Sequence, residues 1–162
     1  MLLFFFYIIL SPILFCLILL SSTFSYKIRK HLFDSRKYIN KTKLKIDEYK
    51  NQKKIILFHS ASAGEFEQLK PILKDIDRNN YFVILTFFSP TIFELEKNSS
   101  LGDAVCYHPF DFPWSAFLFF LKLRPEKYVI TRHDIWPLHL FIAKSMGIQT
   151  IFINANLYKS SN

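Results

Sequence analysis

The sequence predicts an α/β protein: a mainly parallel sheet preceded by a transmembrane helix. Three observations predict it. Residues 1–20 carry no charge. Beyond residue 54, short apolar runs alternate with segments whose apolar residues recur at helical spacing, the pattern of βαβ units. The first of those runs passes into its helix through small residues, Ser60-Ala61-Ser62-Ala63-Gly64. In open α/β folds, turns of this kind lie at the carboxyl ends of the strands, where ligands bind.

The N-terminal run is Leu, Phe, Ile and Tyr, interrupted only by Ser11, Pro12 and Cys16. About 20 apolar residues cross a bilayer core. A cleaved signal peptide is the alternative. It would want a positive n-region and a small-x-small cleavage site, whereas no Lys or Arg precedes the run and Ser21-Ser22-Thr23 is a poor site. The expected division is an anchor over 1–22, a basic juxtamembrane connector over 23–53 and a globular domain over 54–162.

Charge follows the same division. Residues 27–54 hold eleven Lys and Arg against three acids, an excess of +8 that equals the net charge of the whole chain. Residues 55–162, with ten basic and ten acidic side chains, are therefore neutral, which argues against a nucleic-acid-binding face. Positive-inside logic places the domain in the cytoplasm, and Lys27, Arg29, Lys30, Arg36 and Lys37 are placed to meet anionic headgroups or plain solvent. The two cysteines, Cys16 and Cys106, lack metal or redox spacing. The histidines are scattered through the chain, and no metal or cofactor is expected.

Residues 27–51 read as a charged amphipathic helix or connector. Strands are expected over 54–59, 81–86, 104–108, 128–131 and 150–154, and helices over 65–76, 90–97, 114–123 and 136–146. Ser89 before Pro90 is a plausible N-cap with Pro at the first helical position. Gly147 is a helix-ending residue, and Pro113 and Pro137 stand near helix starts.

Four segments could carry chemistry. Glu65 lies in the first turn of a helix, where unpaired backbone N–H groups favour a carboxylate. That position alone has a purely structural explanation, but Ser62 and Gly64 beside it would let a substrate approach the backbone. The loop 108–113 carries Asp111, which could simply cap the helix after it. Asp134 and Trp136, at the end of the fourth strand, form either a site wall or a cap with a core Trp. Asn154 follows the fifth strand. The aromatics of 117–120 suit a core or a membrane-facing surface. No G-x-G-x-x-G, Walker A or G-x-S-x-G motif occurs.

Together these segments resemble the transferases of 3-deoxy-D-manno-oct-2-ulosonic acid (Kdo) in lipopolysaccharide synthesis. His59, Ser62, Gly64 and Glu65 match the family's H-x-x-S-x-G-E. Pro109, Phe110, Asp111 and Pro113 match P-[YF]-D-x-P. Asp134-Ile135-Trp136-Pro137-Leu138 meets E-L-W-P-N, and Asn154-Ala155-Asn156-Leu157-Tyr158 meets N-A-R-L-S. The departures are Asp134 for Glu, Leu138 for Asn and Asn156 for Arg.

The resemblance implies the N-terminal, Rossmann-like half of a GT-B glycosyltransferase. It implies inverting, metal-free transfer of Kdo from CMP-Kdo to a lipid A precursor at the inner membrane, with Glu65 as general base. Ser62, Gly64, Asp111, Asp134, Trp136 and Asn154 would contribute to substrate binding. Most donor contacts would come from a C-terminal domain not present here, supplied by a separate polypeptide if the gene is split. Two rival readings stand beside it: a non-catalytic, membrane-anchored domain binding lipid or protein, and another membrane-associated GT-B enzyme with a different donor.

Overall fold

The computed structural model describes residues 2–49, 52–131 and 135–153. Two helices come first, α1 (Leu2–Phe24) and α2 (Tyr26–Glu48). Five strands then alternate with four helices: β1 (Lys54–Ser60), α3 (Ala63–Asp75), β2 (Tyr81–Phe87), α4 (Pro90–Glu96), β3 (Ala104–Tyr107), α5 (Pro113–Leu123), β4 (Lys127–Thr131), α6 (Pro137–Ser145) and β5 (Gln149–Ile153). The strands form one sheet in the order β3-β2-β1-β4-β5, and every pairing is parallel.

This order follows from how the strands are connected. From β1 the chain steps outward through α3 and α4 to β3, then returns through α5 to pair β4 on the other side of β1. The strand order therefore reverses between β1 and β4. Such a switch point opens a crevice at the carboxyl ends of the two strands, because the loops leaving them run to opposite faces.

Both faces of the sheet are buried over β1–β4, so these strands are near-continuous apolar runs, whereas β5 at the edge is only partly covered. One face carries Leu57, Phe82, Ile84, Cys106, Tyr128 and Ile130 beneath α2, α5 and α6. The other carries Ile56, Phe58, Val83, Leu85 and Val129 beneath α3 and α4. Pro90, Pro113 and Pro137 each stand at a helix start. Their missing N–H costs nothing there, since the first helical N–H groups have no intrahelical partner. Ser89 is the N-cap residue of α4 but makes no side-chain cap bond. Gly147 follows α6 at φ +72°, a conformation that favours glycine.

The basic segment is an integral layer of this fold. In α2 the residues His31, Ser35, Ile39 and Thr42 are buried, at the spacing of one helical stripe. Ile39 joins the core with β3 and α5. Its cations are turned outward, Lys30 to Glu94 at 2.9 Å and Lys45 to the Asp103 carbonyl at 2.9 Å. The charge count shows the outer face of this helix and conceals the inner one.

Helix α1 contains 19 residues, Phe6–Phe24, long and apolar enough to cross a membrane. One of its faces touches the domain. The Tyr7 hydroxyl donates to the Asp111 carbonyl at 3.0 Å, and Phe15 meets Phe112 and Trp114 edge-on. Of the aromatics of 117–120, Phe119 and Phe120 are core, while Phe117 is exposed with Leu118, Trp114 and Leu121.

Candidate functional site

The turn after β1 is built by capping. Ser62 is extended at φ −133° and is the N-cap of α3, its side chain accepting from Glu65 N at 3.3 Å. Ser-x-x-Glu is a capping-box pattern, and the Glu65 side chain does reach back, to Ala61 N at 2.8 Å. Thr131, the last residue of β4, lies 3.2 Å from the same oxygen, Oε2. The carboxylate thus spans the crevice between β1 and β4. It is half-buried, whereas Ser62 and Gly64 are exposed.

Gly64 needs no special backbone, and a Cβ added to it would meet nothing within 4 Å among the described residues. A glycine inside a helix is costly relative to alanine. The fold gains nothing from it here, so the open space above Gly64 is available to a ligand. Glu67 points away, exposed and paired with Lys70 at 2.5 Å.

Asp111 corrects an expectation. It does not cap α5, whose N-cap is Phe112, with Ser115 closing the turn. Its carboxylate instead caps α6, accepting from Leu138 N at 3.2 Å and His139 N at 3.0 Å. It also holds His139 Nδ1 at 2.7 Å. The reason is tertiary: α5 and α6 pack side by side, which brings the unpaired N–H groups of α6 to the loop before α5. Trp136 is the N-cap residue of α6. It is half-buried, with its ring against His59, His108 and Phe88. Asp134 and Asn154 lie outside the described residues.

The histidines, scattered in sequence, converge in space. His31, His59, His108 and His139 are all buried. The rings of His59 and His108 are 3.9 Å apart, and those of His108 and His139 are 4.2 Å apart. His108 Nε2 bonds the Tyr128 hydroxyl at 2.7 Å, and His31 Nε2 bonds the His108 carbonyl at 2.9 Å. Burial pushes His31 down to about 4 and His108 well below the usual histidine range, with the neighbouring histidines adding to the effect. Burial also lowers His139, against the opposing pull of Asp111. Among the described residues no group of His, Cys, Asp or Glu is arranged to hold a metal ion. The imidazoles of His31, His108 and His139 are neutral packing elements beneath the crevice.

The sequence model of the family described as 3-deoxy-D-manno-octulosonic-acid transferase (kdotransferase) matches residues 34–162. The chain belongs to this family. The match begins inside α2 and includes the whole sheet, in keeping with the docking of α2 as a layer of the fold.

Similarity to individual Kdo transferases agrees with the assignment. The chain is 32% identical over 110 residues to the 3-deoxy-D-manno-octulosonic acid transferase of Aquifex aeolicus (strain VF5), covering 67% of this chain and 30% of that protein. It is 28% identical over 134 residues to that of Chlamydia muridarum (77% and 31%). It is 27% identical over 106 residues to that of Haemophilus influenzae (63% and 25%). The chain thus spans between 25% and 31% of the length of these curated relatives.

Sequence reasoning missed Thr131 and the histidine cluster. A signal for Thr131 did exist: it is a small hydroxyl residue closing the run Tyr128-Val129-Ile130-Thr131, at the carboxyl end of the strand. Nothing local marked the histidines, which come from α2, β1, the loop after β3 and α6.

Proposed function

We propose that this chain supplies the acceptor-side half of a Kdo transferase of lipopolysaccharide biosynthesis, with Glu65 as general base. The observation that carries the reading is the placement of the Glu65 carboxylate. It stands at the switch point of a parallel sheet, half-exposed, beside the open space over Gly64. A base must come within hydrogen-bond reach of the proton it takes, and small residues on this side allow that approach. Glu65 takes the proton of the acceptor hydroxyl. The acceptor oxygen forms a bond to the anomeric carbon of Kdo as the bond to CMP breaks, and CMP leaves with the electron pair. Attack opposite the leaving group inverts that carbon.

The donor is CMP-Kdo and the acceptor a lipid A precursor. Donor contacts come mainly from a GT-B C-terminal half, and α1 holds the chain at the inner membrane with the sheet in the cytoplasm. Ser62, Gly64 and Trp136 line the acceptor side, with Asp134 and Asn154 contributing from the neighbouring strand ends. Asp111 serves this site by fixing the start of α6.

The test is Glu65→Gln in the chain combined with a donor-side half. Transfer should be abolished while the thermal unfolding midpoint stays within a few degrees. Undiminished transfer would remove Glu65 from the role. Replacing CMP-Kdo with other nucleotide sugars in the same assay separates a related glycosyltransferase of different donor.

A non-catalytic lipid-binding role is the second reading. A groove of about 670 Å³ between α1, α2 and α5 favours it, with Phe15, Leu32, Phe112 and Trp114 in its wall beside Arg36 and Lys122. Acceptor-lipid binding without transfer, when a donor-side half is present, would support it.

A further inference from the structure

Glu65 meets two donors in the described part of the chain, and both act on one oxygen. Ala61 N lies 2.8 Å from Oε2 and Thr131 Oγ1 lies 3.2 Å from it. The threonine hydroxyl is also 3.2 Å from the His59 carbonyl, and its residue is fully buried. A hydroxyl has a single proton but can accept as well as donate. It therefore has two acceptors at equal distance and can serve one at a time.

We propose that Thr131 is the positioning residue of the Glu65 carboxylate, pinning Oε2 in both protonation states so that Oε1 takes the proton. With Glu65 ionised, the hydroxyl donates to Oε2, a charge-assisted bond that outcompetes the neutral carbonyl. With Glu65 protonated on Oε1, Oε2 is the carbonyl oxygen of the acid and still accepts, so the hydroxyl keeps donating to it and His59 O remains the alternative acceptor. Ala61 N keeps its bond to Oε2 as well. No atom moves by more than a hydroxyl rotation.

The placement is specific. The hydroxyl comes from β4 and the carboxylate from the turn after β1, so the bond crosses the reversal in strand order. Thr131 is held by the last pair of the β4–β5 ladder, opposite Ile153. Geometry preset by rigid elements is what a base needs, since a displacement of about 1 Å can cost on the order of a hundredfold in rate.

This proposal rests on the reading of Glu65 as base, so its test has an arm that needs no turnover. The full chain in detergent micelles is labelled with 13C at glutamate side-chain carboxyls, and the Glu65 signal is assigned by its loss in Glu65→Gln. That signal should move in Thr131→Val and return to its native position in Thr131→Ser. Should the valine variant fail to fold, the Thr131 hydroxyl proton is followed in Glu65→Gln, where it should shift. Insensitivity of each group to loss of the other overturns the pairing. In transfer with a donor-side half, Thr131→Val should lower kcat by about tenfold to a hundredfold, with KM for the acceptor held and Thr131→Ser close to native. A proportional rise in KM, or a loss matched by the serine variant, overturns the positioning role. Full transfer by Glu65→Gln with the carboxyl signal still tied to Thr131 sinks the base and spares the pair.

Discussion

Asp111 and His139 are bonded twice. The Asp111 Oδ1 lies 2.7 Å from His139 Nδ1 and 3.0 Å from the His139 backbone N. One carboxylate caps a helix and fixes the orientation of a buried imidazole. Asp111→Ala removes both bonds and leaves buried donors without an acceptor, a loss of about 1–3 kcal/mol. Asp111→Asn keeps an acceptor for the cap and should lose less. Chemical denaturation in detergent, read by tryptophan emission, orders native above Asn above Ala. Ala equal to native would remove the cap from the account of α6.

Gly64→Ala separates fold from function. The added methyl meets open space, and replacing a helical glycine with alanine stabilises by about 0.5–1 kcal/mol. The unfolding midpoint should rise slightly while transfer, or acceptor binding, falls. A variant that is both more stable and fully active would show that no ligand uses the space.

Acid should destabilise the domain through its histidines. Burial holds His31 near 4 and lowers His108 and His139 as well, whereas the unfolded chain takes up protons near pH 6.5. The unfolded state then binds more protons, so stability is full above about 6.5 and is lost as pH falls from there toward 4. Midpoints measured between pH 7.5 and 5 should fall steadily, and His31→Phe should flatten the slope. An unchanged midpoint down to pH 5 would contradict the buried, neutral state of the cluster.

The two thiols should be silent for different reasons. Cys106 is fully buried, and burial pushes its thiol up to about 12, leaving almost no thiolate near neutral pH. Cys16 is exposed on the surface of α1, inside the candidate span Phe6–Phe24. In vesicles a water-soluble maleimide should label neither; detergent should expose Cys16 and unfolding should expose both. Fast labelling of Cys16 in intact vesicles would place α1 outside the bilayer core.

Much of the fold could be read along the chain, because strands and helices are written in local periodicity. The run Ile55-Ile56-Leu57-Phe58 is buried on both faces and has no polar alternation, as in a central parallel strand. Proline at the start of α4, α5 and α6 marked those helices to within a residue or two. Helix α2 was harder: its four buried positions include His31, Ser35 and Thr42, so its inner stripe does not look apolar and its cations dominate the reading.

The candidate site divides in the same way. Local sequence dictates the turn that presents Glu65, since Ser62 capping and the small residues around it act within a few positions. It also determined the family, through motifs in order, and the apolar character of α1. Tertiary structure alone decided that Asp111 would serve α6, that four histidines would meet, and that Thr131 would stand against Glu65. Each of these depends on β4 returning to pair with β1, as in His59 beside Ile130. Thr131 and Glu65 are 66 residues apart in the chain, beyond the reach of any helical or strand period. The strand order that joins them comes from burying both faces of one twisted sheet beneath right-handed crossovers.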